Sequence, residues 1–288
     1  MSKPPRIALL PTTLKLGWRP SRIPLEALDW PLGRPEGTEG QTLGDLNARD
    51  HLIVPPRKSH YLRPGFGTRA KVSILVMEPS VIHGHHIQRL KRAHGRFHKV
   101  LTSNEDLLST IPNGRFFAHG GTWVPEWRDL DLTKTKTCSL IASKKASQDG
   151  HRLRHEIVAG AREEGLDVDA LGGAYAPFGA KAEGLAPYRF SVVIENVRER
   201  NYFTEKLIDA VLCRCVPIYW GCPNIGDFLD TSGLILCDSA DAVAAAMRGM
   251  SEELYAAHLP GVEAIRERAA HWGDYPRRAA EAVLAAER

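Results

Sequence analysis

The chain has 288 residues, 43% apolar and 25% charged, which is ordinary globular usage and enough for two modest cores. Its net charge of +4 is a small surplus without any block of like charges; it is no footprint of a nucleic-acid binder, and a phosphate-bearing ligand would be steered by it equally well. No stretch reaches the length of a membrane span, and the apolar run in MSKPPRIALLPTT is too short for a signal peptide, so a cytoplasmic protein without a transmembrane segment is expected.

In chain order, Arg6 to Pro11 predicts a first strand, and the Pro-, Gly- and Trp-bearing stretch up to Arg49 predicts irregular structure with one short helix. A second strand starts at His51, and a loop leads to Ala70. Val72 to Met77 reads as the strongest strand of this half, and Pro79 biases Glu78 away from helix, which sets that carboxylate at the strand's carboxyl edge. His83, His85 and His86 follow in VIHGHH, read as a loop. Their spacing lacks the i, i+4 geometry of helical zinc sites, so a surface or sugar-contacting role is favoured over a metal.

A basic helix from Ile87 to Gly95, a strand from Phe97 to Leu101, a helix capped by Ser103 or Asn104, and a strand in RFFAHGGTWV repeat the βα pattern. Gly120 and Gly121 read as a tight turn at a cleft between domains. The polar, aperiodic EWRDLDLTKTK (Glu126 to Lys136) is the expected linker. Two D-x-D triplets, Asp129 with Asp131 and Asp167 with Asp169, lack the context of a metal site. Cys138, Cys213, Cys215, Cys222 and Cys237 are odd in number and form no CxxC pair, which speaks against a disulfide framework or a zinc cluster.

Cys138 to Ser143 predicts the first strand of a second domain, followed by a polar loop and a helix with Leu153, Ile157, Val158 and Ala161 on its apolar face. Arg152 and Arg154 lie near that helix's start, and Lys181 falls in a later Gly-rich loop. The most informative stretch is Tyr188 to Leu229. Phe190 to Ile194 is an apolar run suited to a strand covered on both faces, and Glu195 and Asn196 end it. Thr204 is a plausible N-cap before Leu207, Ile208, Val211 and Leu212 at helical spacing, and CVPIYW is the next strand. In such a βαβ unit ligands sit beyond the strands' carboxyl ends, where Asn196, Tyr202, Thr204, Glu205 and Lys206 fall. Free helix N–H donors with a lysine suit a diphosphate, and Glu205 suits two vicinal ribose hydroxyls. The same residues also suit an ordinary exposed first turn. The chain ends in a short strand near Gly233 to Cys237, helices over about 240–250 and 251–258, and an Ala-rich helical run from Gly261.

ENVRERNYFTEK followed by VPIYWGCPNI closely resembles the donor-binding signature of the α1,3/4-fucosyltransferases, bacterial type, over about forty residues. The resemblance implies an α/β, GT-B fold of two Rossmann-like doubly wound domains with a cleft between them. It further implies inverting transfer of fucose from GDP-fucose to a glycan hydroxyl, and a soluble form without the membrane anchor and disulfides of eukaryotic relatives. It makes Glu78 the catalytic base, although the family usually has Gly-Glu-Asn where this chain has Met-Glu-Pro. It makes Arg154, Asn196, Tyr202, Thr204, Glu205 and Lys206 the donor-binding residues. The expected domains are 1–130 on the acceptor side and 131–265 for the nucleotide sugar, with a helix over 266–288 that crosses back to the first. No cofactor or metal is required in this reading, divalent-metal stimulation staying open, and nucleic acid is not an expected partner. Another nucleotide-sugar donor, or a glycan-binding relative without activity, are the alternatives.

Overall fold

The computed structural model of the protein describes residues 4–285. Residues up to Ala118, with those from Tyr275 on, form one compact unit, and His119–Asp274 form a second. Among the described residues no helix is long and apolar enough to cross a membrane.

In the first unit, β1 (Ile7–Leu9), β2 (His51–Val54), β3 (Lys71–Val76), β4 (Val100–Thr102) and β5 (Gly114–Phe116) lie side by side in that order, all parallel. Between them run α1 (Lys58–Leu62), α2 (Ser80–Ala93) and α3 (Glu105–Thr110). Successive strand residues point to opposite faces. Leu52, Val54, Ile74, Val76 and Val100 therefore join Ile87 and Leu90 of α2 and Leu107 of α3 in one core. Ile7, Leu9, Ile53, Leu75 and Leu101 pack on the other face against Ala279, Ala280 and Val283 of α8 (Tyr275–Ala285). The strand order never reverses, so the three crossover helices share a face and the chain's last helix covers the opposite one. That cover matters, because leaving five such side chains in water would cost roughly 1.5–3 kcal/mol each.

VIHGHH is not a loop. Pro79 stands at the N-cap of α2 and Ser80 at its first position, so the helix begins seven residues earlier than expected and takes His83, His85 and His86 into its first two turns. Gly84 faces open space there and costs the helix only its modest propensity penalty.

The second unit contains β6 (Lys136–Ile141), β7 (Val168–Leu171), β8 (Tyr188–Ile194), β9 (Val216–Trp220) and β10 (Ile235–Leu236), also all parallel, in the order β10-β9-β8-β6-β7. Its helices are α4 (Asp149–Glu163), α5 (Glu205–Leu212), α6 (Ala240–Arg248) and α7 (Glu252–Gly273), with α4 against α6 and α5 against α7. Here the order does reverse. The chain steps from β6 outward to β7, then returns to lay β8 on the other side of β6, and this switch point is where open parallel sheets place ligands.

Two sequence expectations change in this unit. The helices expected over 251–258 and from Gly261 are one helix, α7, which runs through Pro260. Its Gly261 lies so close to Gly233 that an added Cβ would come within 2.5 Å of the Gly233 nitrogen, so α7 is clamped where the proline would loosen it. The stretch from Glu126 to Lys136 is fastened to the second unit: the Arg266 guanidinium lies 4.7 Å from the Trp127 ring centre, and Lys134 donates to the carbonyls of Ala186 and Cys213. All five cysteines are buried and unpaired.

Candidate functional site

The polar cluster of the second unit forms at the exit of β8 because the strand ends on a glutamate that has nowhere to go but inward. Glu195 is 0% exposed. Both its oxygens are engaged by Thr204, Oε1 accepting from the backbone N–H and Oε2 from the hydroxyl, each at 2.8 Å. Thr204 in turn caps α5 by accepting from the Lys206 N–H at 3.3 Å. Burial pushes the Glu195 carboxyl up, with Lys206, 3.8 Å from Oε2, pulling the other way. The strand end and the helix start are thereby tied into one piece.

Two glycines permit this closeness. A Cβ on Gly150, in the first turn of α4, would fall 1.7 Å from the Glu195 carbonyl oxygen; as glycine it donates its N–H to the Asn196 carbonyl at 2.9 Å. A Cβ on Gly221, after β9, would meet the Tyr219 hydroxyl at 2.5 Å and Glu195 Cγ at 2.6 Å.

Arg154 reaches this exit from α4. It is 5% exposed, and its Nε donates to the Ile194 carbonyl at 3.0 Å while Nη2 donates to the same carbonyl and, at 3.1 Å, to Asn196 Oδ1. Asn196 passes the contact on through Nδ2 to the Tyr202 hydroxyl at 3.4 Å. Arg154 thus spends two nitrogens on holding the exit, and Nη1 has no hydrogen-bond partner among the described residues. Burial lowers its pKa, opposed by Glu195, Tyr202 and Glu205.

Glu205 and Lys206 open α5. The Lys206 ammonium donates to Glu205 Oε1 and to Thr204 Oγ1, both at 3.1 Å. Burial works to raise the Glu205 carboxyl, but Lys206 and then Lys181 outweigh it and hold it below its ordinary value. The N–H groups of Thr204 and Lys206 are both taken within the cluster. An anion here would meet side-chain cations.

The six residues expected to bind a donor, Arg154, Asn196, Tyr202, Thr204, Glu205 and Lys206, therefore lie within one hydrogen-bonded and charge-coupled cluster. Lys181 joins them, although its sequence context is a Gly-rich loop of no obvious pattern. Its ammonium has no hydrogen bond or ion pair among the described residues; it stands 5.7 Å from the centre of the exposed Trp123 ring. Burial lowers its pKa, with Asp209 and Glu205 opposing. Asp209, one turn on from Glu205, is held up at about 7 by burial, and accepts from the Thr122 hydroxyl at 2.6 Å and the Trp123 N–H at 3.1 Å. The only forward signal for either residue is the amphipathic break that a buried aspartate makes in α5.

Glu78 belongs to the first unit, exposed at the carboxyl end of β3. Beside it, Met77 helps line a pocket of about 130 Å³ with Leu10, Thr12, Thr13, Asp29 and Tyr275. On α2, His83 and His86 pack edge to face, and the His86 ring bonds the Tyr61 hydroxyl at 3.1 Å. Burial lowers both imidazoles to about 4. Among the described residues no cluster of three or more His, Cys, Asp or Glu is placed to hold a metal. Asp167 accepts from Thr137, and Asp169 from Lys136 and Tyr188, across the β6–β7–β8 edge.

Residues 132–253 match the C-terminal region of glycosyltransferase family 10 (fucosyltransferase). A fucosyltransferase-like protein of Arabidopsis thaliana is 30% identical over 141 residues, 48% of this chain and 26% of that protein. The α-(1,3)-fucosyltransferase FucT of Helicobacter pylori is 44% identical over 45 residues, 16% of this chain and 9% of its own. The chain thus spans about a quarter or less of these relatives. The crystal structure of TarM superposes with a TM-score of 0.54 at 12% identity, over 82% of this chain and 55% of that one, a likeness of fold alone. With two all-parallel five-stranded units, the fold is α/β and of the GT-B kind. The cluster at the β8 exit lies inside the segment that matches glycosyltransferase family 10 (fucosyltransferase).

Proposed function

We propose that the protein is an inverting glycosyltransferase that moves fucose from GDP-fucose to a hydroxyl of a glycan. The observation that carries this reading is the cluster at the switch point of the second unit: the Glu205 carboxylate, bonded through Oε1 to Lys206 and drawn on by the Lys181 ammonium. A carboxylate oxygen of this kind accepts from a ribose diol. The two lysines and Arg154 Nη1 supply positive potential for a diphosphate, and Asn196 and Tyr202 fix the guanidinium and the strand exit beside it.

In the reaction the Glu78 carboxylate takes the proton of the acceptor hydroxyl as its oxygen bonds to the sugar's anomeric carbon. The bond from that carbon to the diphosphate breaks on the opposite face, its electron pair leaving with GDP, so configuration inverts. Negative charge grows on the departing phosphate, and preorganised cations there lower the barrier by being stronger in the transition state than in the ground state. These side chains do the electrostatic work assigned to a metal in other transferases, so the mechanism calls for none; activity with and without a chelator tests that part separately.

The test of the donor is a thermal-shift series with product analysis by mass spectrometry over GDP-, UDP- and dTDP-sugars. GDP-fucose is expected to raise the melting temperature more than UDP-glucose and to release GDP, because a ligand bound only by the native state stabilises it by mass action. Equal shifts for both sugars, or none at millimolar concentration, would overturn the assignment. A second reading, the same chemistry with another GDP-sugar, is favoured by one fact. The named contacts address ribose and phosphates and leave the sugar unspecified.

A further inference from the structure

The two units carry opposite charge. The first has 21 Lys and Arg against 11 Asp and Glu, a formal +10, and the second 17 against 23, or −6. Within the first unit the segments Lys15–Pro20 and Arg57–Gly67 enclose an open groove of about 980 Å³. Its shape is built in. Arg57 donates to the Thr12 carbonyl, Arg63 bonds the carbonyls of Gly65 at 2.6 Å and Gly17 at 3.1 Å, and Gly67, with φ of +72°, lies where a Cβ would strike the Ser21 nitrogen.

What stands on that frame is unusual for a free surface. Trp18 is 102% exposed and Leu62 81% exposed, both lining the groove. Lys15 and Lys58 also line it, and neither has a hydrogen bond or ion pair among the described residues, while no carboxylate lines it at all. Tryptophan and leucine protruding beside unneutralised lysines form the side-chain set that settles at a bilayer interface. The indole suits the headgroup level, the aliphatic chain enters the acyl boundary, and the ammonium groups meet anionic headgroups. A neutral carbohydrate would stack on the indole but leave the two ammonium groups without an anionic partner.

We propose that this face of the first unit docks the protein on a membrane surface rich in anionic phospholipid, with Trp18 and Leu62 as the inserting residues and Lys15 and Lys58 as the charge contacts. The inference is independent of the donor and of the transfer reaction.

The test is flotation of the full chain with vesicles of phosphatidylcholine alone and with equal parts of phosphatidylglycerol. Binding is expected to the anionic vesicles only, to weaken with added salt, and to fall by about tenfold or more in Lys15→Glu with Lys58→Glu. Trp18→Ala with Leu62→Ala is expected to lose binding while keeping the wild-type melting temperature, since neither side chain is packed. On the anionic vesicles the tryptophan emission of the wild type should shift to the blue, and that of Trp18→Phe should not. Equal binding to both vesicle types, binding to neither, or unchanged binding in the Trp18 and Leu62 variant each overturns the proposal. So does displacement from vesicles by RNA at equal salt with no dependence on Trp18, which would mark the face as a general polyanion surface.

Discussion

Glu195 at the end of β8 is wholly buried, whereas Glu78 at the end of β3 is exposed, although both follow a five-stranded parallel sheet's strongest strand. The difference explains why the two halves of the chain are so unequally legible. A buried carboxylate has to find donors at fixed places, here the Thr204 N–H and hydroxyl and the Lys206 ammonium, and it forbids side chains where the backbone crowds it, at Gly150 and Gly221. Each demand writes a residue type into the sequence at a set spacing. An exposed carboxylate makes fewer such demands, so the sequence around Glu78 carries less of its own signal.

The sharpest way to break this comparison is Glu78→Gln, which keeps size and strand end but removes the base. Transfer is expected to fall by roughly two to four orders of magnitude, while GDP still binds, because every proposed donor contact lies in the second unit. Near wild-type transfer under single-turnover conditions would take the catalytic role from the exposed strand end. Lys206→Ala strikes the buried cluster instead. It removes the cation between Glu195 and Glu205, so GDP affinity should drop about ten- to a hundredfold and turnover with it, which calorimetry and kinetics separate. Wild-type affinity for GDP would mean that the cluster is structural only.

Lys181→Met sharpens the comparison within the second unit. A half-buried ammonium with no hydrogen bond among the described residues is held there at a cost, so its removal should leave the melting temperature of the free protein within a few degrees while GDP affinity falls about tenfold. If stability falls and affinity does not, Lys181 serves Asp209 rather than a ligand.

Much of the second unit could be read forward: the strand ending at Ile194, the Thr204 cap and the helix from Glu205 follow from periodicity and end signals, whereas Arg154 is marked out as a donor contact by the resemblance. Three features could not. The first turns of α2 read as a loop because a run of histidines around Gly84 carries no helical period, and only the Tyr61 and His86 packing shows the buried side. The continuity of α7 across Pro260 depends on Gly233, distant in sequence. Lys181 enters the cluster at the start of a 3-10 turn, Lys181–Gly184, whose Gly184 lies close to Ile141 and Leu171, a tertiary fact with no local pattern.

The smallest effect is one of pH, and it sets the two units against each other. Burial holds Asp209 up at about 7, above its ordinary 3.8, so the folded state keeps a proton that the unfolded chain releases. Stability from this group is full below about pH 4 and declines as pH rises to 7. Burial holds His83 and His86 down at about 4 from 6.5, so here the unfolded chain binds protons first and stability declines as pH falls from 6.5 to 4. The windows overlap and the slopes oppose, each group contributing at most about 1.4 kcal/mol per pH unit. Two imidazoles act against one aspartate, so the wild-type melting temperature should rise with pH between 4 and 6.5, less steeply than that of Asp209→Asn. Asp209→Asn removes the falling limb and should leave stability rising with pH; His83→Gln with His86→Gln removes part of the rising limb and should tilt the profile the other way. Parallel profiles for all three proteins would show that neither the aspartate nor the imidazoles are held by burial as described, and the contrast between the units would rest on their chemistry at the strand ends alone.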